Sequence, residues 1–274
     1  MPGPKPLDPT AGPAALLGSE LRKHRSERGW TQAQLAEAIR FSASLVGLIE
    51  RAAQNPTRDF VERCEQALGL QGDLLRLWAA ISKENAPKWF RPWLDVEQGA
   101  HRLRTWEPLI VPGLLQTEQY ARVMLSNEPG VSQEQVEESV TARLDRQKIF
   151  LRNPPPMFLA VLDEGILHRP IGDREAMYGQ LQHLINMAAS PCVTIQVVPY
   201  RSQSTPGLLG GFVIAQTDNV PDTVYLESAG HGQLRDDPAT IAGVSVRYDS
   251  IRAGALPQRE SIELIRETME KQWS

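Results

Sequence analysis

Cysteine is nearly absent: the 274 residues include two, Cys64 and Cys192. So far apart in sequence, they offer neither a disulfide framework nor a paired thiolate zinc site, and reduced thiols in a cytoplasmic protein are expected. Cys64 falls within an apolar helical pattern and reads as a small core residue, not a reactive one. Long hydrophobic runs are missing as well, since no stretch approaches the roughly 18 apolar residues of a membrane span. The N-terminal stretch is rich in Pro, Gly and Ala and lacks a basic region followed by an apolar one, so no signal peptide is expected. The histidines (His24, His101, His168, His183 and His231) form no His-Glu-x-x-His pair, which leaves no expected metal site or cofactor. Basic charge is not in excess either. The net charge of −4 argues against a chain that is basic throughout, but a DNA reader needs only a local basic face. The length suffices for two domains with sizeable cores.

What is present begins with a helical pattern. Residues 1–15 carry several prolines and glycines and read as a disordered tail. A first helix is expected from about Leu16 to Arg28, with Arg22, Lys23, Arg25 and Arg28 against Glu20 and Glu27, and Gly29 ends it. Thr31 and Gln34 have the spacing of a capping box opening a second helix. Ser42 then caps a third, in which Leu45, Val46 and Ile49 recur at the spacing of a buried stripe. Two short helices joined by a tight turn form a helix-turn-helix, whose second helix lies in the DNA major groove. Thr57 caps a fourth helix with Phe60, Val61, Cys64, Ala67 and Leu68 on one face. A fifth, from Asp73 to Ser82, is too apolar for an exposed face, and the first domain closes at 82.

Residues 17–70 resemble the Xre-type, lambda-repressor-like helix-turn-helix family. The likeness rests on Leu21-Arg22, Gly29-Trp30-Thr31-Gln32, Leu35-Ala36, Ser42, Val46, Ile49-Glu50-Arg51, Pro56-Thr57 and Ala67-Leu68-Gly69. It implies an all-α, five-helix DNA-binding domain over 16–82. The positions matching the family's base-facing residues are Ala43, Ser44, Gly47 and Leu48, behind the cap Ser42, and Gln32 matches a phosphate-clamping position. Arg22 and Arg25 on the first helix are further candidates for phosphate contact. Arg40 stands where a turn glycine is common, and Gly47 and Leu48 replace hydroxyl and basic residues. A bidentate Arg–guanine or Gln–adenine pair gives about 1–3 kcal/mol of discrimination, and the first two turns of the recognition helix offer no such side chain. Phosphate contacts, with Arg40 and Arg51 as the nearby cations, and DNA shape are therefore expected to carry much of the affinity. The Glu50 side chain reads as a structural contact to the first helix or the loop.

From 83 to 274 the pattern changes. Trp89, Phe90, Trp93, Trp106 and Tyr120 crowd one segment, which reads either as a packed seam or as a groove for a partner or ligand; Trp93, Trp106 and Tyr120 are the candidates for the latter. Ser132 and Gln135 open a helix running to about Leu151. Strands are expected at 157–162, 193–198, 212–215 and 223–226, the last two as a hairpin, with helices at 173–189, 238–254 and 258–272. This gives an α+β domain with a small mixed or antiparallel sheet and flanking helices. Asp163, Glu164 and His168 lie close together but read as turn capping, and Gly207, Gly210 and Gly211 lack the following helix of a phosphate loop. No catalytic constellation emerges, and the chain is not expected to be an enzyme.

This half resembles the C-terminal domain of an actinobacterial family of antitoxin-like transcriptional regulators. The likeness rests on Val111-Pro112-Gly113-Leu114-Leu115-Gln116-Thr117-Glu118-Gln119-Tyr120-Ala121, Ala142-Arg143-Leu144-Asp145-Arg146-Gln147 and Leu162-Asp163-Glu164, and then on Gln196-Val197-Val198-Pro199, Gly210-Gly211-Phe212 and Val224-Tyr225-Leu226-Glu227. It implies a cytoplasmic, nucleoid-associated regulator of transcription that binds double-stranded DNA, with no membrane partner. The regulatory domain is expected to form a homodimer and to respond to a small protein partner or a ligand. The alternative is an antitoxin-like interaction module that binds DNA weakly and whose main partner is a small protein encoded nearby.

Overall fold

The computed structural model describes residues 8–202, with backbone alone at 82–85, then 205–228 and 231–274. The chain divides into two compact units, Met1–Ala86 and Pro87–Ser274. No described helix is long and apolar enough to cross a membrane.

The first unit contains α1 (Pro13–Glu27), α2 (Gln32–Ile39), α3 (Ala43–Ile49), α4 (Arg58–Leu68) and α5 (Asp73–Asn85). Of the expected tail, residues 1–7 lie outside the described residues. The remainder forms a 3-10 turn at Pro9–Ala11, and α1 starts at Pro13, a residue whose missing N–H costs nothing in a first turn. The caps follow from side-chain chemistry. Thr31 accepts from the Gln34 N–H at 3.2 Å, while Gln34 accepts from the Thr31 N–H at 2.8 Å. Ser42 and Thr57 cap α3 and α4 through the Leu45 and Phe60 N–H groups. The start of α5 is held from α4, where buried Glu65 accepts from the N–H groups of Gly72, Leu74 and Leu75 at 2.7, 2.6 and 3.2 Å. Leu21, Leu35, Val46, Ile49, Phe60, Cys64 and Trp78 fill the space between the helices. Full burial of each such aliphatic or aromatic side chain contributes about 1.5–3 kcal/mol. Burial pushes the Cys64 thiol up to about 12, so it stays protonated and inert. Gly18 lets α1 approach α3 closely: a Cβ there would overlap the Ile49 carbonyl oxygen.

The second unit is α+β. Its sheet has six strands in the order β3-β2-β1-β4-β5-β6: β1 (Arg102–Glu107), β2 (Met157–Asp163), β3 (Val193–Val198), β4 (Phe212–Gln216), β5 (Thr223–Leu226) and β6 (Gln233–Arg235). The pairs β1–β2 and β2–β3 are parallel, and the other three are antiparallel. Around the sheet lie α6 (Arg91–Gly99), α7 (Glu118–Ser126), α8 (Gln133–Arg146), α9 (Gly165–His168), α10 (Arg174–Met187), α11 (Pro238–Ala253) and α12 (Gln258–Thr268). The parallel pairs need crossovers, which α7–α8 and α9–α10 provide. One sheet face carries Leu103, Phe158, Ala160, Leu162, Ile195 and Val197 into the larger core with Tyr120, Leu181 and Ile265. The opposite face carries Trp106, Val161, Phe212 and Val224 against Tyr248 and Ile251 of α11.

The central strand β1 lies in the aromatic segment, where the sequence pattern marks no strand. Its placement decides what the rings do. Trp93 and Trp106 are each 2% exposed and Tyr120 is 1% exposed. Trp106 donates from Nε1 to the Gly207 carbonyl at 2.8 Å, and Trp93 stacks on Tyr225 with centroids 5.1 Å apart. The Tyr120 hydroxyl accepts from the Val111 N–H at 3.3 Å. As candidates for partner contact these three rings are corrected: they are core, because two sheet faces and a crossover close over them, and none presents a surface. Asp163 accepts from the Gly165 N–H as a turn cap, whereas Glu164 accepts from the Tyr200 N–H and His168 bonds the Gln272 side chain, partners 36 and 104 residues away in sequence.

Candidate nucleic-acid interface

The α2–α3 pair is organised around one carboxylate. Glu50, just past the end of α3, is fully buried. Arg25 of α1 grips it with two bonds, Nε to Oε1 at 2.5 Å and Nη2 to Oε2 at 2.9 Å, and gives Nη1 to the Trp30 carbonyl at 2.6 Å. Arg22 donates to the Glu50 carbonyl oxygen at 2.8 Å, and Gln32 of α2 donates from Nε2 to Glu50 Oε2 at 2.8 Å. Three helices thus meet at one side chain. A buried carboxylate is tolerated only when paired and hydrogen-bonded in this way.

This geometry sorts the expected contact residues. The Arg25 guanidinium is used inside the fold, with its side chain 12% exposed, so it holds α3 instead of facing a phosphate. Arg22 keeps a solvent edge, at 40%. Ser42, Ala43 and Ser44 are exposed on the first turn of α3, while Leu48 is half-buried. Gly47 is buried and cannot be a contact residue in its own right: a Cβ there would stand 3.1 Å from Arg51 Nη1 and 3.2 Å from Gln32 Oε1. Lacking a side chain, it lets the arginine four residues on fold back over the helix. That Gly-to-Arg spacing was readable as a signal, and pattern analysis of the helix alone passes over it.

Arg40 ends α2 in the left-handed region, at φ 59° and ψ 44°, a conformation that costs a non-glycine residue about 1 kcal/mol. Arg40 and Arg51 are both exposed and make no ion pair among the described residues. The surface so formed has a hydroxyl-bearing helix start, one free cation before it and another folded over its middle. Chemically it suits phosphate oxygens and the edges of a groove. It offers little direct base readout beyond Ser44 and whatever Arg51 reaches.

Comparison with known families gives two matches. A helix-turn-helix domain family matches residues 16–78, spanning the cluster just described. A domain of unknown function, DUF5753, matches residues 90–267, which holds the whole sheet. No curated protein and no solved structure matches the chain.

Proposed function

Because the chain belongs to the DUF5753 family and carries a helix-turn-helix domain at its N-terminus, we propose that it is a transcriptional regulator of the Xre type from the actinobacterial antitoxin-like group. In this reading the head binds double-stranded DNA, and the C-terminal domain dimerises and responds to a small protein partner or a ligand without catalysing a reaction. The observation that supports it best is the exposed start of α3, bracketed by Arg40 and Arg51 and held rigidly from behind by Glu50.

Replacing Arg40 and Arg51 together with Ala is expected to weaken binding to specific and random duplex alike, since the lost contacts are to phosphates. The slope of log K against log salt should become shallower by about one to two units. Filter binding or fluorescence anisotropy over a salt series reads both quantities. Unchanged affinity for random DNA would remove α3 from the interface.

One head with few base contacts cannot supply useful specificity alone, and two heads reading an inverted repeat can. Light scattering on the full-length chain, of 30.5 kDa per protomer, is expected to give twice that mass at micromolar concentration. A monomer there would refute the dimeric part of the reading.

A further inference from the structure

The two faces of the sheet are covered unequally. The face built on Leu103, Phe158 and Ile195 receives side chains from α6, α7, α9, α10 and α12. On the opposite face α11 is the only helix among the described residues, packing through Ile241, Val244, Tyr248 and Ile251. One helix is about 10 Å across, whereas six strands about 4.8 Å apart span about 24 Å. Strands paired in parallel, as β1, β2 and β3 are, normally have helices on both sides. Here β2 leaves Met157 exposed and Leu159 half-buried on the α11 side.

The outer side of α11 is itself apolar. No residue from Pro238 to Val246 is ionisable, and Ala239, Ala242, Gly243 and Val246 are exposed there, with Asp249, Ser250 and Ala253 continuing the stripe. Beside it a 3-10 turn, Pro206–Leu209, is seated on the sheet. Gly207 gives its carbonyl to Trp106 Nε1 at 2.8 Å, a Cβ on it would overlap that ring, and Arg247 of α11 donates to the Pro206 carbonyl at 2.9 Å. The turn so held projects Leu208 and Leu209 outward, 70% and 82% exposed, and Val246 is 70% exposed as well. A helix that is apolar all round belongs in an interior, and a fixed apolar patch on a surface marks a contact with another body. No described helix can cross a membrane.

The stripe has the symmetry that contact with its own copy requires. In an antiparallel pair of α11 helices crossing at Val246, residues equally spaced on either side of Val246 face one another. Ala239 then faces Ala253, Ala242 faces Ser250, Gly243 faces Asp249, and Val246 meets itself. These are small residues that let two helices approach, and a Cβ on Gly243 would meet nothing within 4 Å. The ends complement each other in charge. Arg252 of one copy comes within about 5 Å along the axis of the other's Asp236 and Asp237, and the two helix dipoles oppose. Arg252 donates to the uncharged Gln196 Oε1 at 2.8 Å, and neither it nor Asp236 has an ion pair among the described residues. A lipid surface fits less well, since an anionic membrane selects cations around an apolar patch and this one is flanked by Asp236, Asp237 and Asp249.

We propose that a second copy of this chain covers this face, α11 packing antiparallel on α11 about a twofold axis at Val246, with Leu208 and Leu209 of each copy closing the sides. Two helices then form the layer that one leaves incomplete. The proposal rests on the dimeric reading above and assigns that dimer its surface.

Light scattering at micromolar concentration compares the full-length chain with Val246→Glu and Leu209→Glu. The parent should weigh twice 30.5 kDa, and each variant should raise the dimer dissociation constant at least about tenfold. The effect should be larger for V246E, whose two carboxylates would meet at the axis. Both side chains are exposed, so far-ultraviolet circular dichroism of the variants should match the parent. Val246→Cys should form an intermolecular disulfide under mild oxidation, because the residue meets itself, while Leu151→Cys, exposed elsewhere on the same unit, should not. The native cysteines are buried and stay out of this assay, and V246C decides the matter if a glutamate variant misfolds. A monomeric parent would overturn this proposal together with the dimeric reading. A parent that is dimeric, with V246E and L209E equally dimeric and V246C no quicker to cross-link than L151C, would overturn the surface and leave the dimer to be held elsewhere.

Discussion

Glu50→Ala should remove about half of the stability of the helical head. The variant removes the carboxylate that neutralises Arg25, takes away the ion-pair partner of Arg22 and leaves the Gln32 donor without its acceptor. Breaking a buried pair by deleting one partner costs about 3–5 kcal/mol, because the remaining charge is stranded. A domain of this size has about 4–10 kcal/mol of stability in total. Denaturant melts followed by far-ultraviolet circular dichroism should show the loss, and binding to random duplex should fall with it. Glu50→Gln, which keeps the shape and an acceptor, should fall between. A variant that melts within about 1 kcal/mol of the parent would show that the clamp is not structural.

The second unit carries a counterpart. Glu97, 3% exposed, is the carboxylate that neutralises Arg146, whose guanidinium also lies over the Phe90 ring at 5.0 Å. Glu97→Ala leaves Arg146 uncompensated beside Arg143, so a loss of about 3–5 kcal/mol is expected here too. Tryptophan fluorescence is a suitable probe, since Trp93 sits on the same helix as Glu97 and is buried. The double variant Glu97→Ala with Arg146→Met should recover part of the loss, because replacing both charges removes the stranded one. If the double variant is the less stable of the two, stranded charge is not the cause.

Local chemistry made much of the head legible in the sequence. Thr31, Ser42 and Thr57 cap helices where their spacing says they should, because a cap needs only the three residues that follow it. Arg25 was harder to place. Which side of α1 meets α3 is set by Gly18, seven residues earlier on the same helix face, and a lone glycine has no periodicity to read. The strand β1 escaped for a different reason: its inward residues are Leu103, Thr105 and Glu107, so a buried face looks polar. The fate of the tryptophans followed from that strand, since their burial depends on a sheet whose partners come from residues 157–226.

Gly18 and Glu50 together have a mechanical consequence. The carbonyl of Ile49 rests against the bare backbone of α1, and the next residue is tied to both α1 and α2. Tilting or sliding α3 by itself would break a close backbone contact and a buried ion pair at once, at a cost comparable to the stability of the whole head. The exposed start of α3 therefore behaves as a die cut into a solid block. Whatever moves α3 must translate or rotate that block as one body, and cannot work by bending the helix.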